Sequence, residues 1–174
     1  VNESLSVLGE TIGVDFVCIF QHGVNPERKE TIVSRRFSWV KEAGNYKTGA
    51  FNDLKYSDIG DPAWFDIMST GGAVSALVRD LPSLYGEFPK SQGIRSLILV
   101  PIIIDESYWG FMGLADCQSE RHWTKSEEAI LKAIATNFGG KLKNERDSLA
   151  FRSIVEGTSS RTGDEFFRCL VRHL

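Results

Sequence analysis

The chain has 174 residues, with 20 Lys+Arg against 23 Asp+Glu, a net charge of −3 and 42% hydrophobic residues. That apolar content is enough to build a core and excludes a disordered chain. The mild acidity argues against a nucleic-acid partner, which favours a basic surface. No apolar run reaches the ~18–20 residues that cross a bilayer; the longest, Leu97–Ile104, has the size of a strand.

At about 150 residues per domain, the length suggests one domain and a remainder. No signal peptide is recognisable. The first residue is Val1 rather than Met, which reads as a piece of a longer protein. Cys18, Cys117 and Cys169 are odd in number and widely spaced, a poor disulfide framework. They point to reduced thiols and a cytoplasmic compartment. Without a Cys-x-x-Cys pair, no structural metal site is expected.

In chain order, Val1, Leu5, Leu8 and Ile12 form the apolar stripe of a first helix, closed by Gly13 in the place of a left-handed cap. Val14–Phe20 is apolar except for Asp15 and reads as a strand buried on both faces. Thr31–Val40 is a second strand, whose alternation puts Val33, Arg35, Phe37 and Trp39 on one side. Lys41–Asp61 is polar, glycine-containing and aperiodic, the pattern of a long binding loop. Pro62 opens a short helix through Trp64, Phe65 and Met68. A short extended segment, Ala73–Val78, and a weakly helical one, Leu84–Lys90, follow.

Ser96–Ile104 is the strongest strand, with no polar face, and is expected to be central; Pro101 within it implies a bulge or an unpaired position. Asp105–Ser107 forms a turn and Tyr108–Ala115 returns as an antiparallel partner. Gly110 and Gly113 inside that partner mark bulges or the close approach of another backbone. Thr124 and Glu127 have capping-box spacing. Ile130, Ile134, Phe138 and Leu142 then repeat along an amphipathic helix to about Ser148. Glu156–Ser160 is polar and reads as a linker, and Phe166–Leu174 marks the apolar face of another helix. The expected organisation is one domain over 1–150, then a linker and the first helix of a truncated following domain over 151–174.

The stretches Gly93-Ile94-Arg95-Ser96, Val100-Pro101-Ile102 and Trp109-Gly110-Phe111-Met112-Gly113 resemble the GAF domain. Asp116-Cys117, Arg121-His122-Trp123 and Glu127, with Trp64, Gly72 and Asp80-Leu81-Pro82, are similar to a subgroup common in bacterial sensor kinases and cyclases. The resemblance covers about residues 5–146. It implies an α+β, GAF/PAS-like architecture: a central antiparallel sheet flanked by N- and C-terminal helices, with loops and short helices over the other face. It also implies a pocket for a small molecule between the sheet and its covering loops. Phe37, Trp39, Trp64, Phe65, Leu97, Leu99, Met112 and Leu114 are the pocket candidates, each weighed against plain core packing.

Known activities of the family test differently on these residues. The Cys-His pair that attaches a bilin in phytochrome-like members falls on Leu84 and Tyr85, which argues against a covalent bilin there. The phosphodiesterase-type cyclic-nucleotide signature is not apparent, although Arg35, in phase with Phe37 and Trp39, could meet an anion. Cys117 is the cysteine near the loop face and carries the alternative of a redox switch or enzyme; Cys18, mid-strand, reads as a small buried hydrophobe. Asp116, Cys117 and His122 are too few for a zinc site. Asp116 and Arg121 read as a brace after the last strand.

No nucleophile–base pair, P-loop or Rossmann pattern is present. The chain is therefore read as a non-catalytic sensory domain of a multidomain signalling protein, above all a sensor histidine kinase, with no cofactor of its own. An unknown small molecule, a kinase or cyclase output domain, and a second copy held through the terminal helices are its expected partners. The alternative is a dimerisation and relay module with a pocket filled by its own aromatics.

Overall fold

The computed structural model describes residues 2–41 and 53–159. The chain forms two compact units, residues 1–137 and 138–174. The order is α1 (Asn2–Ile12), β1 (Phe16–Val24), β2 (Thr31–Val40), β3 (Leu54–Lys55), α2 (Tyr56–Ile59), α3 (Trp64–Ser69), β4 (Val74–Leu77), a 3-10 turn (Val78–Asp80), α4 (Glu87–Ser91), β5 (Ser96–Ile104), β6 (Ser107–Asp116) and α5 (Lys125–Ser159). The strands make one antiparallel sheet in the order β3-β2-β1-β6-β5-β4. The architecture is α+β, as expected. β5 stands one place from the edge, and β1 and β6 hold the centre.

Local chemistry explains the ends of these elements. α1 stops at Gly13, whose φ is +76° and whose N–H donates to the Gly9 carbonyl at 2.9 Å, the left-handed cap that glycine adopts without penalty. Glu127 and Thr124 close a reciprocal box at the start of α5: Thr124 N–H to Glu127 Oε2 at 2.8 Å and Glu127 N–H to Thr124 Oγ1 at 3.2 Å. α5 continues through Ser159, across the polar stretch expected to be a linker. Of the expected second domain, residues 160–174 lie outside the described residues. α5 also turns a different edge inward than its four-residue repeat suggested: Leu131 and Ala135 are buried, whereas Ile130 is 58% exposed.

Two short elements lie where a long loop was expected. Asp58 Oδ2 accepts the Lys55 N–H at 2.8 Å, which starts α2 and buries Tyr56 and Ile59. The remainder of that loop, residues 42–52, lies outside the described residues. The hairpin register is continuous through Pro101, and the irregularity falls at Ile102/Ile103 instead. Gly110 sits opposite it. A Cβ there would lie 2.0 Å from the Phe20 carbonyl oxygen, so the close backbone approach expected of this glycine is observed.

The sheet has two buried faces. Alternation along β1 sends Phe16, Cys18 and Phe20 to one face and Val17 and Ile19 to the other. On the first face these residues join Leu97, Leu99, Phe111 and Ala115 with Tyr56, Ile59, Trp64, Met68 and Ile94 in one apolar cluster. α2, α3 and α4 thus form a cover over that face. α1 packs on the β1–β2 side of the sheet.

Candidate functional site

The space between the sheet and the α2–α4 cover is a chamber of about 40 Å³, walled by Phe16, Cys18, Phe20, Phe88, Leu97 and Leu99 among others, with almost no polar surface. Small-molecule pockets occupy about 300–1,000 Å³, so this volume is far below that of a ligand site. The protein's own rings fill the rest. Phe20 stacks on Phe111 with centroids 5.1 Å apart, and Phe88 stands edge-on to Phe20 at 6.3 Å.

The cover is fastened beside the chamber by polar tips on aromatic bodies. The Tyr56 and Tyr108 hydroxyls share a hydrogen bond of 3.0 Å, and the Tyr108 hydroxyl lies 3.9 Å from Met68 Sδ. His22, at the end of β1, stacks on Phe65 at 5.2 Å and lies 5.5 Å from the Tyr108 ring. Burial raises Tyr56 to about 12 and pushes Tyr108 up further, so both hydroxyls keep their protons at neutral pH. Burial lowers the His22 pKa, which favours its neutral ring. Nothing in the isolated periodicity around His22, Tyr56 and Tyr108 signalled this cluster. They come from three separate elements, and the topology alone gathers them.

The candidates named from the sequence separate by face. Leu97 and Leu99 point into the chamber cluster. Phe65 packs against the same cluster from α3, and Trp64, buried in it, also walls a different cleft at the sheet edge. Phe37 and Trp39 do not share a face with Arg35, contrary to the alternation read from the sequence. The β1–β2 register pairs Val17 with Trp39 and Ile19 with Phe37, then slips, pairing Phe20 with Arg35. Arg36 is the extra residue, and this bulge turns Phe37 and Trp39 to the α1 side. Trp39 lies so close to α1 that a Cβ on Gly9 would be 2.0 Å from its ring. Met112 and Leu114 pair with Ile19 and Val17 and send their side chains to that same side; Leu114 borders the chamber from within β6. Arg35 is on the chamber face, near enough to Cys18 to favour its thiolate, but burial dominates and pushes the Cys18 thiol up to about 12.

Cys117 is half-buried at the end of β6. Its N–H donates to Asp15 Oδ2 at 2.9 Å and its Sγ lies 3.8 Å from the Gln92 carbonyl. Asp116 accepts the Gln118 and Ser119 N–H groups and the Ser119 hydroxyl at 2.7–2.8 Å. Burial raises its pKa, but these bonds outweigh burial and hold it below the usual range. Arg121 donates to the Ile12 carbonyl at 3.0 Å and pairs with Glu127, tying the end of α1 to the start of α5. Asp116 thus braces the turn after the last strand, as expected, whereas Arg121 ties α1 to α5 instead. Among the described residues, no three His, Cys, Asp or Glu side chains gather to hold a metal, and neither Cys18 nor Cys117 is in a disulfide. Cys169 lies outside the described residues.

With a six-stranded antiparallel sheet, a helical cover on one face and terminal helices, the geometry can be set beside known proteins. The GAF domain family profile matches residues 1–142. The chain belongs to the GAF domain family. A histidine kinase of Methanothrix harundinacea, the methanogenesis regulatory kinase FilI, is 32% identical over 139 residues. That match covers 78% of this chain and 15% of the kinase, so this chain spans a small part of that relative. Two solved GAF structures have the same fold at 14% identity. The blue-light absorbing form of the PixJ domain of Thermosynechococcus elongatus has a TM-score of 0.67 over 89% of this chain and 88% of that one. The photoproduct state of the third GAF domain of Slr1393 from Synechocystis has a TM-score of 0.65 over 86% and 94%. At that identity they establish the fold. No described helix is long and apolar enough to cross a membrane.

Proposed function

We propose that this GAF chain is the non-catalytic, small-molecule sensory part of a cytoplasmic sensor histidine kinase, with residues 1–150 as the sensory domain and 151–174 leading into a following one. The observation that carries this reading is the apolar chamber lying under a cover fastened by Tyr56 and Tyr108, in a chain 32% identical to a stretch of a histidine kinase. At about 40 Å³ the chamber is too small for a metabolite with the cover in place. A ligand that prefers the lifted cover shifts the population toward it. The Arg121 brace, which joins α1 to α5, carries the shift to the terminal helices and, through a parallel dimer of them, to the kinase.

The chamber walls are apolar, so the ligand that suits them is apolar. The position that carries the bilin cysteine in phytochrome-like relatives holds Leu84, which is exposed here, and Tyr85; a covalent bilin at that position has no thiol to join. Screening a metabolite library by thermal shift tests the reading, because a bound compound stabilises by RT ln(1 + [L]/Kd).

A second reading is favoured by the volume of about 40 Å³. A chamber packed by Phe16, Phe20, Phe88 and Phe111 suits a ligand-free dimerisation and relay module. Under that reading the library leaves the melting temperature unmoved, while deleting α1 still changes kinase output. The thiol-switch alternative at Cys117 predicts that Cys117→Ser abolishes a response to peroxide.

A further inference from the structure

A wider cleft lies away from the chamber, at the β4 edge of the sheet. It is a cleft of about 430 Å³ walled by Asp61, Trp64, Ser75, Leu77, Asp80 and Trp123, with Arg121 and His122 at the loop side. This volume is within the range of small-molecule sites. We propose that this cleft binds a small organic ammonium ion, with Asp61 as its counter-charge and the two indoles as its aromatic walls.

The charges of the cleft lead to that class. Arg121 is committed within the protein: it donates to the Ile12 carbonyl, pairs with Glu127 and lies 4.3 Å over the Trp123 ring. Arg79 is likewise taken by Asp80 and Glu120. The guanidinium groups near the cleft therefore offer little to an incoming anion. Asp61 differs. Its Oδ1 accepts the Ala63 N–H at 2.9 Å, and its carboxylate is in no ion pair among the described residues. It stands beside Trp64, which shares the cleft with Trp123 and Leu77. A compact cation with a methylated or methylene shell satisfies both features, since a carboxylate and indole faces together recognise such ions. Arg121 covers one face of the Trp123 ring, so only its other face is open to a second cation.

The probe is choline, compared with its neutral carbon isostere 3,3-dimethylbutan-1-ol, titrated at pH 8 while the Trp64 and Trp123 indole N–H resonances are followed. The Trp123 Nε1–H is buried without a hydrogen-bond partner, so its resonance is a sensitive reporter of the cleft. Choline is expected to shift both resonances saturably, with the isostere at least tenfold weaker. Asp61→Asn keeps the acceptor for the Ala63 N–H and is expected to weaken choline about tenfold without altering the fold. Leu99→Phe, in the sheet-face chamber, is expected to leave choline binding unchanged, which separates this cleft from the sensory reading above. Equal binding of choline and the isostere, no saturable shift, or an Asp61→Asn variant that binds as wild type overturns the proposal. Should Asp61→Asn not fold, the salt dependence of choline binding to the wild type decides: loss of binding with salt supports the proposal and salt-independent binding overturns it.

Discussion

The hydroxyls of Tyr56 and Tyr108 meet at 3.0 Å across the gap between the helical cover and the sheet. Residues 52 positions apart in sequence thereby fasten α2 to β6, and Tyr108 also reaches Met68 of α3. Tyr108→Phe removes this bond and leaves the part-buried Tyr56 hydroxyl unpaired. A loss of about 1–2 kcal/mol is expected by urea titration. Amide exchange over residues 56–69 is expected to quicken more than exchange in β1. Unchanged exchange in the cover would show that the pair does not hold it down.

Gly9 and Trp39 make a second tight contact, on the α1 side. A methyl group on Gly9 would fall 2.0 Å from the indole ring, and a ring held between α1 and the sheet cannot yield cheaply. Gly9→Ala is expected to cost about 1–3 kcal/mol, despite the better helix propensity of alanine. Combined with Trp39→Leu, the cost of Gly9→Ala should largely vanish, a coupling that a double-mutant cycle measures.

The start of α5 gives a pH dependence. The Thr124 N–H and the Arg121 guanidinium hold the Glu127 pKa at about 2, against an ordinary value of 4.5. A carboxylate whose folded pKa is depressed stabilises above its unfolded pKa and loses that contribution as pH falls through its folded pKa. Stability from Glu127 is therefore full above about pH 4.5 and disappears toward pH 2. Because the side chain is partly exposed, solvent screening keeps the gain to about 1 kcal/mol. The wild type and Glu127→Gln should differ by that amount at pH 6 and converge near pH 2.

Thiol reactivity should separate the cysteines. Burial pushes Cys18 up to about 12, leaving almost no thiolate at pH 8. Mass mapping after brief treatment with a thiol reagent should find Cys18 unmodified in the folded protein and modified in urea. Modification of native Cys18 at the unfolded rate would contradict its burial in the chamber wall.

Much of the sheet was legible in the sequence, because the apolar runs at Val14–Phe20 and Ser96–Ile104 and the glycines of β6 each dictate a local conformation. The capping pair Thr124 and Glu127 was legible for the same reason. The face of Phe37 and Trp39 was not: strict alternation assigns it wrongly once a single bulge at Arg36 shifts the phase. α2 was missed because it is one turn long, with Tyr56 and Ile59 as its buried anchors, too short for a period to emerge. The Tyr56–Tyr108 pair and the edge cleft are products of topology, which no local pattern encodes.

The central claim is that the sheet-face chamber receives a ligand when its cover lifts. It is tested most directly by a thermal-shift screen of a metabolite library, run on the wild type and on Leu99→Phe, which fills the chamber from β5, with Leu97→Phe as a second filling variant. The account predicts a compound that raises the wild-type melting temperature in a concentration-dependent way and fails to raise that of the filled variants. No stabilising compound across the library, or one that stabilises wild type and filled variants alike, would contradict it.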